Sequence, residues 1–301
     1  MLFQNKNLNR LKSLECLGCS NNILEEKVKV LSIVKHSWVN VMFKPKIGLS
    51  MLYCLSEPFN KMVERLRKVE TSYIEIVDEG LHTLDKRRVQ ILNDLASSRN
   101  LKYTVHAPFA DINIASPTKP LLNAMFKRLK KSMVHASALD CQVWVFHSGL
   151  RTGISSFYPG RDWLQNLEST RELNAFASDL GLKIAVENTP KLYSFLMSSV
   201  EEFKRFYSEM DEEIGMVLDI GHANINGQTE KFLKAFPDRI VHMHAHDNDG
   251  KNDLHWGIGY GETDWDRVAK AIKSIKYNRI IVVESVEHVE ESVRTLKRLL
   301  G

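Results

Sequence analysis

Residues 242–265 read HMHAHDNDGKNDLHWGIGYGETDW and hold four of the chain's 11 histidines and four of its aspartates. Packing gives no reason to crowd imidazoles and carboxylates, since each is costly to bury unpaired. Together they are the ligand mix of zinc, manganese or iron, and no thiolate accompanies them. The chemistry they point to is the grip of a divalent cation, with proton transfer or hydrolysis beside it. Upstream, groups of the same kind close short apolar runs: His106 after KYTV, His147 after VWVF, Glu187 after KIAV and Asp219 after GMVL. His222 follows Asp219 by three residues, Glu284 closes RIIVV, and His244, Asp253 and His255 belong to the opening stretch. A lone histidine in an apolar run is more often a satisfied core residue. Six consecutive runs that carry such a group at the same end are not explained by packing.

These runs belong to a rhythm that starts at Ile47. Short β-branched segments predict strands at 47–53, 73–77, 102–107, 143–147, 183–187, 215–219, 240–246 and 279–284. Between them, amphipathic segments predict helices at 57–70, 85–98, 118–139, 162–180, 199–210, 229–236, 264–276 and 287–300. In 118–139, Leu121, Leu122, Met125, Leu129, Met133 and Ala136 form the expected apolar stripe, with Lys127, Arg128, Lys130 and Lys131 mostly off it. Eight β–α units predict a single (β/α)8 TIM barrel, whose active site lies at the C-terminal ends of the strands. A doubly wound sheet would want a Gly-rich phosphate loop after an early strand, and none follows 47–53 or 73–77.

Composition agrees with one large globular unit: 301 residues, 44% hydrophobic and 26% charged, net charge +4, pI about 8.7. That charge is too weak to predict nucleic-acid binding and does not oppose a phosphorylated substrate. The four cysteines, Cys16, Cys19, Cys54 and Cys141, make no disulfide framework, and a reducing cytoplasm is the simplest home. Cys16 and Cys19 form one C-x-x-C pair, read as two ordinary thiols. No apolar run reaches the ~20 residues of a membrane span. Residues 1–41 are read as an appendage to a barrel over 42–301, or as sequence upstream of a true start at Met42. A short helix packed under the barrel is the alternative.

At this point the residues resemble a known superfamily, the xylose-isomerase-like barrels, which joins endonuclease IV to sugar and sugar-phosphate isomerases and epimerases. The resemblance covers about 45–301 and rests on HAPFADINIAS (106–116), VFHSG (145–149), VENTP (186–190), LDIGHANING (218–227), the 242–265 stretch and VVES (282–285). In the epimerase and isomerase branch it implies one divalent ion, Mn, Mg, Zn or Co, on Glu187, Asp219, His244 and Glu284, with His222 on substrate. In the endonuclease IV branch it implies up to three zinc ions on nine ligands: His106, His147, Glu187, Asp219, His222, His244, Asp253, His255 and Glu284. His242, deeper on the same face of the strand, is read as packing or as a supporting group behind His244. His246 and Asp247 are read as supporting or substrate groups, and Asp249-Gly250 as a turn.

The expected reaction is isomerisation or epimerisation of a keto sugar or sugar phosphate. A proton leaves the carbon beside a carbonyl, and a cation steadies the enediolate. The resemblance gives Glu187 and Glu284 the acid/base role as well as ligation. The alternative is an abasic-site endonuclease with a trinuclear zinc centre, DNA being a partner only in that case. Against it stands VDEGLHTLD (77–85), acidic where that branch carries a DNA-gripping G-x-P-R-like segment; HSG also replaces its HPG around His147. The segment GLRTGISSFYPGRDW (149–163), with Arg151, Phe157, Tyr158 and Arg161, is read as a lid over a small substrate, with a DNA contact as its alternative. No membrane partner is expected, a homo-oligomer is left open, and a sugar- or metal-binding sensor is the non-enzyme alternative.

Overall fold

The computed structural model describes residues 44–301. The appendage over 1–41, the start at Met42 and the Cys16–Cys19 pair lie outside the described residues. Eight parallel strands close into a barrel in sequence order. They are β1 (Lys46–Ser50), β2 (Tyr73–Val77), β3 (Lys102–His106), β4 (Trp144–His147), β5 (Ile184–Glu187), β6 (Gly215–Asp219), β7 (Ile240–Ala245) and β8 (Ile280–Val283). The helices are α1 (Phe59–Leu66), α2 (Lys86–Arg99), α3 (Lys119–Ala138), α4 (Arg161–Asp179), α5 (Val200–Glu209), α6 (Ile220–Ile225), α7 (Thr229–Ala235), α8 (Trp265–Ser274) and α9 (Val289–Leu300). Among the described residues no helix is long and apolar enough to cross a membrane.

Register sets the site. Val77 pairs with His106, His147 with Glu187, and Asp219 with His244, so these groups stand at one end of the barrel. Glu284 follows β8 directly, its N–H donating to the Ala245 carbonyl at 3.0 Å. Side chains alternate across a strand, so Ala185 shares a face with Glu187, and Val217 with Asp219. Val143, Val145, Ala185 and Val217 form a small apolar cluster of their own. The large apolar side chains, among them Ile281, Val283, Met216 and Leu218, join the main core that runs out to the helices. Few large side chains fill the inside beneath the rim, which leaves room there for polar groups.

Helix starts follow the local signals. Asp85 accepts the Arg88 N–H at 2.8 Å, Asp264 accepts the Arg267 N–H at 3.0 Å, and Ser199 with Glu202 closes a capping box ahead of α5. Three features differ from the sequence reading. The first strand ends at Ser50, and Met51–Cys54 turns as a 3-10 helix capped by the Ser50 hydroxyl. The apolar run 47–53 hides that change, because both halves are buried or half-buried. Leu121 is 56% exposed, so the buried face of α3 is carried by Leu122, Phe126, Leu129, Met133 and Ala136. The short α6 was not anticipated; Asp219 caps it with its own side chain.

Candidate metal centre at the barrel mouth

All nine positions expected to ligate meet at the C-terminal rim in three groups, within each of which one ligand atom per residue lies within 4.8 Å of the others. The first joins His106, His147 and Glu187. The Nε2 atoms of His106 and His147 stand 3.4 and 3.3 Å from the same oxygen, Glu187 Oε2. The second joins Glu187, Asp219, His244 and Glu284. His244 Nδ1 is its centre, at 3.2 Å from Glu187 Oε1, 3.4 Å from Glu284 Oε2 and 3.8 Å from Asp219 Oδ2. The third joins His222, His246, Asp253 and His255. Asp253 takes His222 Nε2 at 3.3 Å on one oxygen and His255 Nε2 at 3.4 Å on the other. Glu187 is common to the first two groups.

Local structure aims these side chains. Asp219 is both a site group and the N-cap of α6, and its Oδ1 accepts the His222 N–H at 2.6 Å. The D-x-x-H spacing therefore stacks both groups over one helical turn. Asn188 clamps Asp219 from β5's end: its Oδ1 accepts the Asp219 N–H at 2.7 Å and its Nδ2 donates to the Asp219 carbonyl at 3.0 Å. Ring orientation is fixed from behind. Nδ1 of His106 meets the Ala107 carbonyl at 2.8 Å, Nδ1 of His222 the Asn188 carbonyl at 2.8 Å, and Nδ1 of His255 the Glu284 carbonyl at 2.9 Å. A proton on each Nδ1 satisfies these carbonyls, so loss of the second ring proton would turn the Nε2 lone pair toward the site. His255 holds a left-handed backbone, φ 49°, a conformation kept only where surrounding contacts impose it. The antiparallel bridge of Asp247 with Trp256 supplies such contacts one residue on.

Burial opposes protonation of His106, yet the Glu187 carboxylate pushes it up to about 9. Burial opposes the imidazolium of His255 too, and Asp253 still raises it to about 9. Against the same penalty, Glu284, Glu75 and Glu187 raise His244 well above its usual value, and Asp219 with Asp253 raises His222. Desolvation alone wins at His147 and His242, which are lowered. Desolvation also resists ionising the carboxylates, but His244 and His147 hold Glu187 well below the carboxylate range, and His222 and His246 hold Asp219 at about 2. Glu284 is the exception, pushed up by burial.

A divalent cation fits this donor set. Buried Glu187 Oε2, Asp219 Oδ2, His246 Nε2 and Asp253 Oδ1 have no hydrogen-bond partner, although isolated buried polar atoms are costly. All face groups of the three clusters, and neutral imidazole with carboxylate is what zinc or manganese takes. Above the ligands opens a cavity of about 810 Å³, walled by Leu52, Leu55, Phe109, Tyr193, Phe195 and Val286. Phe109 stands edge-on to His106 and Phe195 edge-on to His147, with ring centres 5.4 and 5.8 Å apart.

Of the other expected site residues, one joins the centre and the rest fall elsewhere. His246 stands within the third group, its Nε2 3.2 Å from Asp219 Oδ1 and its ring stacked 3.9 Å above His255. Gly221 makes that possible, since a Cβ there would come within 2.1 Å of the His246 ring. Asp247 turns into its own loop, accepting the N–H groups of Asn248, Gly259 and Thr263 and the Trp265 indole. Arg151 pairs with Glu202 at 2.8 Å, Arg161 with Glu168 at 3.5 Å, and Tyr158 is exposed; none of the three lines the cavity. The acidity of VDEGLHTLD is partly internal: Asp78 is buried against Arg128, and Glu79 accepts the N–H groups of Phe109 and Ala110. Sequence reasoning missed Glu75, a fully buried carboxylate in the middle of β2 beside His242 and His244. A lone charge inside YIEIV was the available signal.

The chain is 30% identical to the uncharacterized protein MJ1311 of Methanocaldococcus jannaschii, over 87% of this chain and 89% of that one. A solved structure described as a D-tagatose 3-epimerase-like protein superposes with a TM-score of 0.80 at 30% identity, covering 85% of this chain and 97% of the other. The D-psicose 3-epimerase of Clostridium cellulolyticum H10, at 18% identity, a TM-score of 0.67 and coverage of 83% and 89%, shares the fold. Residues 63–299 match the xylose isomerase-like TIM barrel profile, and the chain belongs to that family.

Proposed function

We propose that the chain is a divalent-metal-dependent isomerase or epimerase of a keto sugar. The observation that carries this is the convergence of Glu187, Asp219, Glu284 and His244 beneath a small-molecule cavity with apolar walls. Similarity to a D-tagatose 3-epimerase-like protein over most of both chains supports it. A cation held by these four residues would act as a Lewis acid on a bound carbonyl. Glu187 and Glu284 come from different parts of the rim, β5 and β8, and flank His244. One takes the proton from the carbon beside the carbonyl and the other returns one to the opposite face, which inverts that carbon. His222 orients a substrate hydroxyl through Nε2. Phe109, Tyr193 and Phe195 offer apolar faces to C–H groups and keep water out. Among the described residues the cavity lining contains no lysine or arginine, which favours a free sugar over a sugar phosphate.

One observation favours a second reading, the phosphodiesterase chemistry of a three-ion centre: the first and third groups bring five histidines and Asp253 around the central group. Metal analysis and solvent-deuterium exchange into a panel of ketoses, run beside an abasic-duplex nicking assay, separate the two. Exchange into a ketose with no nicking is expected. Three zinc ions per chain with salt-sensitive nicking and no exchange would reverse the assignment.

A further inference from the structure

Glu75 has no part in the reaction as proposed, yet it is fully buried and touches the central ligand from behind. His244 Nε2 lies 3.1 Å from Glu75 Oε1, and His242 Nε2 lies 3.1 Å from Oε2. Thr104 Oγ1 donates to the same Oε2 at 3.1 Å, which fixes the carboxylate across the barrel. On the other side of the His244 ring, Nδ1 faces Glu187, Glu284 and Asp219. A neutral imidazole has one N–H and one lone pair, and an ionised carboxylate only accepts. With a cation held by the three rim carboxylates, the lone pair belongs on Nδ1, toward that cation, and the proton on Nε2, toward Glu75.

We infer that Glu75 is a positioning residue: it sets the tautomer and angle of His244 and makes its Nδ1 a stronger ligand. The inference rests on the cation reading of the central group. The pattern matches the general carboxylate–histidine–metal relay, in which the outer carboxylate tunes the inner ligand. A competing arrangement puts a cation among Glu75, His242 and His244 themselves, whose ligand atoms also lie within 4.8 Å of one another. With a cation on the rim as well, it would strip both protons from the His244 ring, and the hydrogen-bonding arrangement requires no such loss.

Zinc titration of the metal-free full chain, with nitrogen-15 NMR of the histidines in the loaded protein, tests this without a substrate. Expected in the wild type is a His244 with protonated Nε2 and metal-bound Nδ1. In Glu75→Gln, zinc affinity should fall roughly 10–100-fold. The zinc count should not change, and the Nε2–H resonance should move upfield as its acceptor loses charge. A folded variant with wild-type affinity and an unmoved resonance overturns the inference alone. So does a variant that loses one zinc per chain and binds the rest normally, because Glu75 would then be a ligand. A wild-type protein that takes up no zinc overturns the cation reading and this inference together. If Glu75→Gln does not fold, Thr104→Val loosens the same carboxylate; several-fold weaker zinc binding is expected, and unchanged binding refutes the role.

Discussion

Asp219 and His222 are joined twice. The aspartate caps the helix on which the histidine rides, at 2.6 Å from its N–H, and its Oδ1 also lies 3.7 Å from His222 Nδ1. One side chain thus sets both the backbone turn and the charge beside the ring. The two jobs are separable by substitution. Asparagine caps a helix as well as aspartate does, whereas alanine does not. Asp219→Asn and Asp219→Ala should therefore both lose metal affinity. In urea melts of the metal-free proteins the alanine variant should be less stable than the asparagine variant by about 0.5–2 kcal/mol. Equal stabilities would mean that the cap contributes nothing to α6.

Metal loading should release protons. His106 and His255 stand at about 9 in the metal-free protein, raised by Glu187 and Asp253 against the cost of burial. Both are charged at pH 7, and a cation needs their lone pairs. Calorimetry of zinc binding in buffers of different ionisation enthalpy should show proton release. Apparent affinity should drop about tenfold for each unit the pH falls below about 9, for each proton displaced. The linkage for folding runs the other way. A histidine raised above its unfolded value of about 6.5 adds stability below that pH, and the gain disappears as pH climbs through about 9. Buffer-independent binding heats at pH 7 would contradict the assignment.

Much of the centre was legible because six of its groups stand at the ends of β-branched runs, and parallel strands in sequence order put those ends on one rim. The D-x-x-H spacing is local, so it survived folding unchanged. Glu75 was not legible in the same way. A glutamate in the middle of a strand reads the same whether it faces solvent, helix or barrel interior, and its partners His242 and His244 are more than 160 residues away. VDEGLHTLD was legible only in part for a related reason: the Arg128 that neutralises Asp78 comes from α3, 50 residues on. Arg151 and Arg161 carried charge that pointed to a ligand, but neighbouring acids take it up.

That Asp78–Arg128 pair gives a prediction about stability. Asp78 is fully buried and accepts from Arg128 at 2.8 and 3.0 Å on its two oxygens, besides taking the Leu84 N–H at 2.7 Å. Removing one member of a buried pair strands the other charge and costs about 3–5 kcal/mol. Arg128→Ala should lose stability on that scale in denaturant titration, with metal stoichiometry unchanged in the folded fraction. A loss below about 1 kcal/mol would show that water reaches Asp78 and replaces the guanidinium.

The cavity lining bears on the substrate's charge. A phosphoryl group brings about two negative charges, which proteins meet with arginine, lysine or converging backbone N–H groups. Here the wall around His106 and Glu284 is Leu52, Leu55, Phe109, Phe195 and Val286, and the charged groups beneath it include three carboxylates, Glu187, Asp253 and Glu284. Deuterium exchange into free ketoses should therefore exceed exchange into the matching ketose phosphates, and millimolar inorganic phosphate should not inhibit it. Val286 is half exposed at the rim, so V286R supplies the missing cation without entering the ligand set. That variant should shift the preference toward the phosphorylated ketose by raising its kcat/KM about tenfold, the effect of roughly 1.4 kcal/mol from one exposed charge-assisted contact. Faster exchange into phosphates by the wild-type protein would mean that cationic groups outside the described lining complete the site, and the free-sugar reading would fall.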